Sequence, residues 1–428
     1  MESYDVVIVG TGPAGLGAAF SLIKSRPGLS ILMIDRETFS TGGLRNDCKM
    51  NFTYPIGFPL EVWEAEEAEH YLELVKTALT PEILPKENLH TYQKRAERLG
   101  VELLNVQQTH LGTDGGLELI KKLTAELQDL GVSFSLKEEM LSISAEERMI
   151  RTNMRPIGYN KIIIAPGRQG FRFLQKVMDS LGVHYVDHIV DIGIRVETRQ
   201  EHYPIVADYY DPKFYFPGKV RTFCTNSGNA FVVQERYETE HKEVYHSVNG
   251  HAFSKKRGQG NGLVNFAMLK TVRLTEPLAS GQQFAEILGL QAMLLGGGKP
   301  LRQRVGDFRL GKRSKEDTFN ADLYDFEPTL RSSCPGDVSL AVPAKILRDI
   351  WKSMKLLDTI VPGVLHPSTI MYYPEIKLYA NKPGYLDRHF QVVEHVYFAG
   401  DGAGTSRGIT AAWASGIRAA EGILSSLS

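Results

Sequence analysis

The residues best arranged for chemistry in this chain are three glycines at one spacing, Gly10-Thr11-Gly12-Pro13-Ala14-Gly15, and an acid, Asp35, which follows 20 residues after Gly15. Each has a mechanical reason to stand where it does. Glycine at 10 permits a tight turn, glycine at 12 lets a phosphate approach the backbone, and glycine at 15 allows a helix to pack closely on a strand. A helix opening at Pro13 and Ala14 presents its N-terminus to an anion. Asp35, with Arg36 beside it, can accept hydrogen bonds from ribose hydroxyls. The arrangement points to a dinucleotide held by its pyrophosphate and adenosine ribose. The surrounding elements suit it: the apolar run 5–9, an Ala/Leu-rich amphipathic stretch to Lys24 and the run 30–35 read as strand, helix, strand.

Composition narrows the partners. Of 428 residues, 49 are Lys or Arg and 50 Asp or Glu, so no global charge favours nucleic acid or anionic lipid. Three distant cysteines (Cys48, Cys224, Cys334) offer neither a disulfide framework nor zinc spacing. No apolar run approaches the roughly 18 residues that span a bilayer, and a cytoplasmic location is expected. His184 and His188, with Asp187 and Asp191 nearby, lack an indicated third ligand, so no metal is expected. Cys48 reads as an inert filler. His110 reads as a capping or packing residue before a turn and a helix from 117. The aromatics Tyr209, Tyr210, Phe214, Tyr215 and Phe216 read as strand core before substrate cavity. The basic run Lys299, Arg302, Arg304, Arg309, Lys312, Arg313 and Lys315 reads as a solvated face, with a phosphorylated or acidic partner as the alternative and nucleic acid disfavoured.

The far end separates the possible dinucleotides. An apolar strand at 396–400 ends in Gly400-Asp401-Gly402-Ala403-Gly404, and Gly408 and Ile409 open an alanine-rich helix. This resembles the second FAD motif of flavoproteins, where the following helix points its N-terminus at the flavin, a placement that stabilises negative charge developing on reduction. The strand 161–165, closed by Ala165-Pro166-Gly167, is similar to their Ala-Thr-Gly segment with Pro in place of Thr. No second strand–GxGxxG–helix unit and no CxxxxC pair occurs, so NAD(P)H is expected to act, if at all, as a transiently docked donor.

Several segments in order, TGGLRNDCKMNF (41–52), HLGTDGG (110–116), DIGIRVE (191–197), QRVGDFRLGKRS (303–314), YYPEIKLYAN (372–381) and GDGAGTSRGITAAWASG (400–416), resemble the FAD-dependent dehydrogenases once labelled NAD(FAD)-utilising dehydrogenases, distant relatives of fumarate-reductase-like flavoproteins. The sequence departs from them at 223–229, where a second cysteine is missing. The resemblance implies non-covalent FAD. Its expected contacts are Gly10, Gly12, Pro13, Ala14, Gly15, Asp35, Arg36, the loop Gly42, Gly43, Leu44 and Asn46, Met140, Ala165, Pro166, Gly167, Gly400, Asp401, Gly402, Ala403, Gly408 and Ile409. Lys49 and Arg407 are the expected catalytic cations, stabilising a reduced flavin or a substrate carboxylate.

From about 190 the sequence turns to aromatic-rich runs separated by turn residues, which reads as antiparallel sheet. The expected architecture is an α/β, Rossmann-like FAD-binding domain with a central parallel sheet (1–189 and 356–428), interrupted by an antiparallel-sheet substrate or cap domain (190–355). The expected activity is reduction or dehydrogenation of a small organic substrate by hydride transfer. The alternatives are a single-component flavin monooxygenase, or a flavin-binding protein whose FAD is structural or sensory.

Overall fold

The computed structural model describes residues 2–40, 42–46, 48–252, 260–320, 326–378 and 381–427, so Thr41, Asp47, Tyr379 and Ala380 of the segments above lie outside the described residues. Two compact units are present, one of Met1–Ile83, Val106–Asp187 and Tyr379–Ser428, the other of Leu84–Asn105 and His188–Leu378.

The first unit is built on a parallel sheet. Strand Glu2–Val9 runs between Ile31–Asp35 and Pro156–Ile164, parallel to both, with Ser133–Leu136 and Val396–Phe398 added in parallel at the two flanks. Val6, Val7, Ile8 and Val9 are all buried, because a central strand covered on both faces needs a continuous apolar run. The return from Ser133–Leu136 to Pro156–Ile164 is made by an antiparallel hairpin, Met140–Ser144 with Met149–Thr152, which pairs onto the latter strand. Helices Pro13–Ser25, Gly112–Asp129 and Ile409–Ser426 cover one face, and helix Phe171–Leu181 shares the other with the hairpin. The Gly112-Thr113-Asp114 segment, expected to be a turn, forms the first turn of its helix. His110 belongs to a short strand, Gln108–His110, that pairs with Lys49–Asn51, and so does not cap the helix.

Helices Pro13–Ser25 and Ile409–Ser426 cross where side chains are missing. A Cβ on Gly416 would lie 1.9 Å from the Ala14 carbonyl oxygen, and one on Gly17 2.5 Å from the Trp413 oxygen. Backbone cannot yield as a flexible side chain can, so Gly416→Ala is expected to lower stability by about 1–3 kcal/mol, read as a lowered denaturant midpoint.

The second unit carries an eight-stranded sheet in the order Cys334–Pro335, Leu301–Arg304, Ile370–Leu378, Ile189–Arg199, Leu263–Arg273, Val220–Asn226, Lys213–Phe216, Glu102–Leu104. Apart from the parallel pairing of its first two members, the sheet is antiparallel. A separate ribbon pairs Ala230–Glu238 with Val244–Ala252. Helices Gly281–Leu295 and Ala344–Ile360 pack into this unit's main core. Strand Ile189–Arg199 is buried through all but its last residue, as expected of a strand covered on both faces and not of a half-solvated one.

The expected boundaries at 189, 355 and 356 differ from this division. Ile370–Leu378 pairs with Ile189–Arg199, so the second unit extends to Leu378. Residues 84–105 join it as well, because Glu102–Leu104 pairs with Lys213–Phe216. Phe214 and Phe216 are core on strand Lys213–Phe216, as the strand reading expected, whereas Tyr215 is exposed; Tyr209 is core and Tyr210 half-buried, but both follow helix Ile205–Asp208 and lie in no strand. The basic run divides. Arg309, Lys312, Arg313 and Lys315 are exposed, but Arg302 and Arg304 are buried. Arg304 donates to the carbonyls of Thr318 (3.0 Å), Phe326 (2.8 Å) and Ser368, and stacks over Phe319 and Phe326. Its charge is therefore spent on main-chain oxygens of its own unit, which corrects the solvated-face reading for those two arginines.

Candidate functional site

Within the first unit the three glycines occupy three different environments. Gly10 has φ +107°, and a Cβ there would lie 2.3 Å from the Ala165 oxygen. A Cβ on Gly15 would lie 2.0 Å from the oxygen of Gly10. Gly12, at φ −75° and ψ −176°, has a conformation open to any residue, and its Cβ would meet nothing within 4 Å. Two glycines thus close the turn, while the third fronts open space at a helix N-terminus that carries no side-chain cap and no acid in its first turn.

Asp35 organises this turn. Its Oδ2 accepts from Thr11 N (2.8 Å) and Thr11 Oγ1 (2.7 Å), and its Oδ1 accepts from Glu37 N (2.9 Å). With about four acceptor positions on a carboxylate, capacity remains for roughly one further donor. A cleft opens beside it, lined by Gly10, Asp35, Arg36, Glu138, Met140 and Pro166 among others, and encloses about 460 Å³ including its mouth. Glu138 was not singled out in the sequence. Burial pushes its carboxyl upward, but hydrogen bonds from Ser135, Thr152 and Arg155 outweigh that and hold it below the ordinary carboxylate range. Its backbone N–H donates to the Asp35 carbonyl (3.0 Å), which fixes the cleft wall to the second strand.

A second group of predicted residues converges at the N-terminus of Ile409–Ser426. Gly408 has φ +105°, faces open space and leads a helix that, like the first, has no side-chain cap. Thr410 Oγ1 donates to the Asn51 carbonyl (2.6 Å), which sets the Lys49–Asn51 strand beside this helix end. A Cβ on Gly43 would stand 3.2 Å from Ile409 Cγ1, so the 42–46 loop lies there too. Gly42, Gly43 and Asn46 are exposed and Leu44 is buried. Gly116 brings its helix against this loop, since a Cβ on it would stand 2.1 Å from the Leu44 oxygen. Cys48 is fully buried in the same core.

The two groups are joined by close backbone. A Cβ on Gly402 would lie 2.5 Å from the Gly167 oxygen, and one on Gly400 3.2 Å from Ala14 Cβ. Asp401 spends its carboxylate on the turn itself: it accepts from Ser406 Oγ (2.7 Å) and Gly408 N (3.0 Å) and pairs with Arg168 Nε (2.9 Å). Asn381, another residue not singled out, is fully buried and ties three segments, donating to the carbonyls of Phe171 (3.1 Å) and Gly402 (3.3 Å) and accepting from Gln175 (2.9 Å). A lone Asn after a strand carries no periodic signal, and its place at the end of the family-like segment 372–381 is the one sequence feature that marks it.

Of the expected catalytic cations, Lys49 is half-buried in its strand and Arg407 is exposed. The Arg407 N–H donates to the Gly57 carbonyl (2.7 Å), which fixes its backbone. Burial raises the Glu61 carboxyl, but Lys382 (2.6 Å away) and the Arg407 charge together bring it below its ordinary value.

Residues 4–193, somewhat under half of the chain, match the family described as pyridine nucleotide-disulphide oxidoreductase. An uncharacterized protein of Methanosarcina barkeri (strain Fusaro) is 43% identical over 61 residues, covering 13% of this chain and 15% of that protein, so the match spans a small part of its curated relative. Among solved structures, glycine oxidase from Geobacillus kaustophilus has a TM-score of 0.44 at 10% identity, over 99% of this chain and 95% of that one. L-proline dehydrogenase from P. horikoshii has a TM-score of 0.42 at 10% identity, over 99% and 94%. The family match covers the glycine turn, the second strand and the crossover hairpin, and it is to an oxidoreductase family, in agreement with the FAD-dependent dehydrogenase class expected from the sequence.

Proposed function

We propose that this protein is a cytoplasmic oxidoreductase that binds FAD non-covalently and moves a hydride to or from a small organic substrate. The observation that carries the reading is the division of labour among the three glycines, with closed environments at 10 and 15 and open space at 12. A turn serving packing alone has no need of glycine at a position where the conformation suits any residue and a side chain meets nothing. Gly12, Pro13 and Ala14 hold the pyrophosphate at the helix N-terminus, one oxygen of Asp35 accepts from the adenosine ribose, and the cleft bordered by Arg36, Met140 and Pro166 receives the adenine end. The backbone of Gly42, Gly43, Gly408 and Ile409 flanks the flavin end. FAD, when bound, supplies a two-electron carrier for hydride transfer. Lys49 and Arg407 place positive charge beside the same helix N-terminus, where both favour an anion. NAD(P)H serves as a transiently docked donor.

The purified protein should be yellow and should release FAD, not FMN or NAD, on denaturation. In stopped-flow mixing the flavin should be reduced by some donor and reoxidised by some acceptor. A colourless protein that cannot be reconstituted would end the reading, and a flavin inert to every donor would reduce it to a structural cofactor.

Asp401 acts through the turn it shapes and is a positioning residue. Asp401→Ala releases Ser406, Gly408 and Arg168 together, and FAD affinity is expected to fall about tenfold, or ~1.4 kcal/mol. Arg407→Ala is expected to leave the dissociation constant within about twofold while lowering the flavin's redox potential. Potentiometric titration beside equilibrium dialysis separates the two, and an unaltered potential and turnover in Arg407→Ala would remove that residue from the chemistry.

A further inference from the structure

One surface of the second unit combines features that no part of the proposed chemistry uses. On helix Gly281–Leu295, Ile287, Gln291 and Leu294 are spaced i, i+4, i+7 and therefore share a face. Ile287 is 56% and Leu294 82% exposed, although this helix buries Ala285, Leu288, Ala292 and Met293 on its other side. Gln291 Nε2 lies 3.5 Å from the carbonyl oxygen of Leu340, whose side chain is 67% exposed. The apolar face thus continues from the helix onto the neighbouring segment.

That segment is tied to the basic run. Gln303 is buried between the two: its Nε2 donates to the Lys312 carbonyl (2.8 Å) and its Oε1 accepts from Val338 N (2.9 Å). Ser314 N donates to the Gly336 carbonyl (3.0 Å) in the same direction. The loop held there carries exposed Arg309, Lys312 and Arg313 around Leu310, which is itself 68% exposed. Of the acids beside it, Asp307 accepts from Ser314 Oγ (2.6 Å), Glu316 pairs with Arg302 (2.7 Å), Asp337 accepts from Ser339 N (2.9 Å), and Asp317 is exposed. Exposed aliphatics bordered by cations are the combination that an interfacial membrane contact requires, with apolar side chains entering the acyl boundary and cations remaining at the headgroups.

We propose that the second unit docks peripherally on an anionic phospholipid surface through Ile287, Leu294, Leu340 and Leu310, with Arg309, Lys312 and Arg313 meeting the lipid phosphates. Charge complementarity selects this occupant. A second copy of the chain docked by the same patch about a twofold axis would bring like cations together. A nucleic acid would satisfy the cations but leave the exposed aliphatics in water. No helix of the described residues is long and apolar enough to cross a membrane, so the contact is to one leaflet. This inference does not depend on the flavin or on its chemistry.

The test is cosedimentation of the purified full-length protein with phosphatidylcholine vesicles, with and without phosphatidylglycerol. Binding is expected to the anionic vesicles, weakening as salt rises from ~0.05 to ~0.5 M. Leu294→Glu with Leu340→Glu is expected to lower the partition coefficient about tenfold or more, and Lys312→Glu with Arg313→Glu to weaken binding and flatten its salt dependence. Far-ultraviolet circular dichroism and the melting midpoint of each variant establish that it is folded. Absence of vesicle binding by the wild type overturns the proposal, as does equal binding by a folded Leu294→Glu, Leu340→Glu variant. A wild-type dimer that this variant converts to monomer, without vesicle binding, would instead make the patch a self-interface, and binding of duplex or single-stranded nucleic acid in place of vesicles would assign the cations to that ligand.

Discussion

Gly12→Val is expected to abolish FAD binding at ordinary concentrations while leaving the apoprotein about as stable as the wild type. The site separates the two effects. The backbone at Gly12 is extended, with φ −75° and ψ −176°, a conformation that a β-branched residue adopts readily. A Cβ there meets no protein atom within 4 Å, so the fold loses nothing. On the proposed reading the pyrophosphate occupies that space, and the isopropyl group displaces it from the helix N–H groups. Affinity should fall by at least about a hundredfold, or ~2.7 kcal/mol. Gly15→Ala is the contrasting variant, since its Cβ would collide with the Gly10 oxygen at 2.0 Å and damage apoprotein stability as well. Equilibrium dialysis with FAD and urea unfolding of the FAD-free forms read the two quantities separately. Normal flavin content in Gly12→Val would show that the open space is not the phosphate site.

The contrast also shows why this part of the molecule was legible in the sequence. The glycine turn, its strands and its helix are contiguous in the chain, and their physical demands are local: a positive φ at Gly10, a close approach at Gly15, a free helix end at Gly12. What joined distant segments was not legible. Glu102–Leu104 is too short to show a period, and nothing in those residues announces Lys213–Phe216 as a partner. Ile370–Leu378 is buried through all but its last residue and carries Glu375 and Lys377 among its apolar and aromatic residues, so it shows no alternation that would mark it as the antiparallel partner of Ile189–Arg199. Its Pro374 falls where the pairing with Ile189–Arg199 shifts register, a position that tolerates a missing N–H. Burial of a guanidinium is still less visible: Arg304 reaches carbonyls at 318, 326 and 368, none of which lies near it in sequence. The same holds for Asp35, whose acceptor role was legible, but whose engagement by Thr11 depends on the turn folding back onto the second strand.

The largest expected loss of stability lies in the second unit, at Glu375→Ala. Arg195 is fully buried and makes a bidentate pair with Glu375, Nε to Oε2 at 2.7 Å and Nη2 to Oε1 at 2.6 Å. Burial would lower the guanidinium's pKa, but the adjoining carboxylate reverses that and holds it above the ordinary arginine value. Nη1 also donates to the Cys224 carbonyl (2.9 Å) and Asn265 Oδ1 (3.1 Å), and Nη2 to Asn249 Oδ1 (3.2 Å). The side chain therefore ties its own strand to Ile370–Leu378, Leu263–Arg273, Val220–Asn226 and the ribbon strand Val244–Ala252. Lys377, also buried, stands 3.4 Å from Glu375 Oε1 and 3.8 Å from Glu235 Oε2, so removing Glu375 strands the Arg195 guanidinium and leaves Lys377 with its more distant partner alone. A cost of about 3–5 kcal/mol is expected. Replacing the pair by apolar groups, Arg195→Met with Glu375→Leu, removes the stranded guanidinium, but the oxygens of Cys224, Asn265 and Asn249 each lose one donor and keep another, Asn226 Nδ2 for the first two and Gly250 N for the third. The double variant should accordingly recover a good part of the loss and not all of it. Denaturant unfolding of the wild type, both single variants and the double gives the coupling energy directly, and a strictly additive cycle would show that the ion pair contributes nothing of its own. On the proposed division of labour, turnover should fail at a lower temperature in Glu375→Ala while flavin content at low temperature stays normal, because every residue assigned to FAD belongs to the other unit.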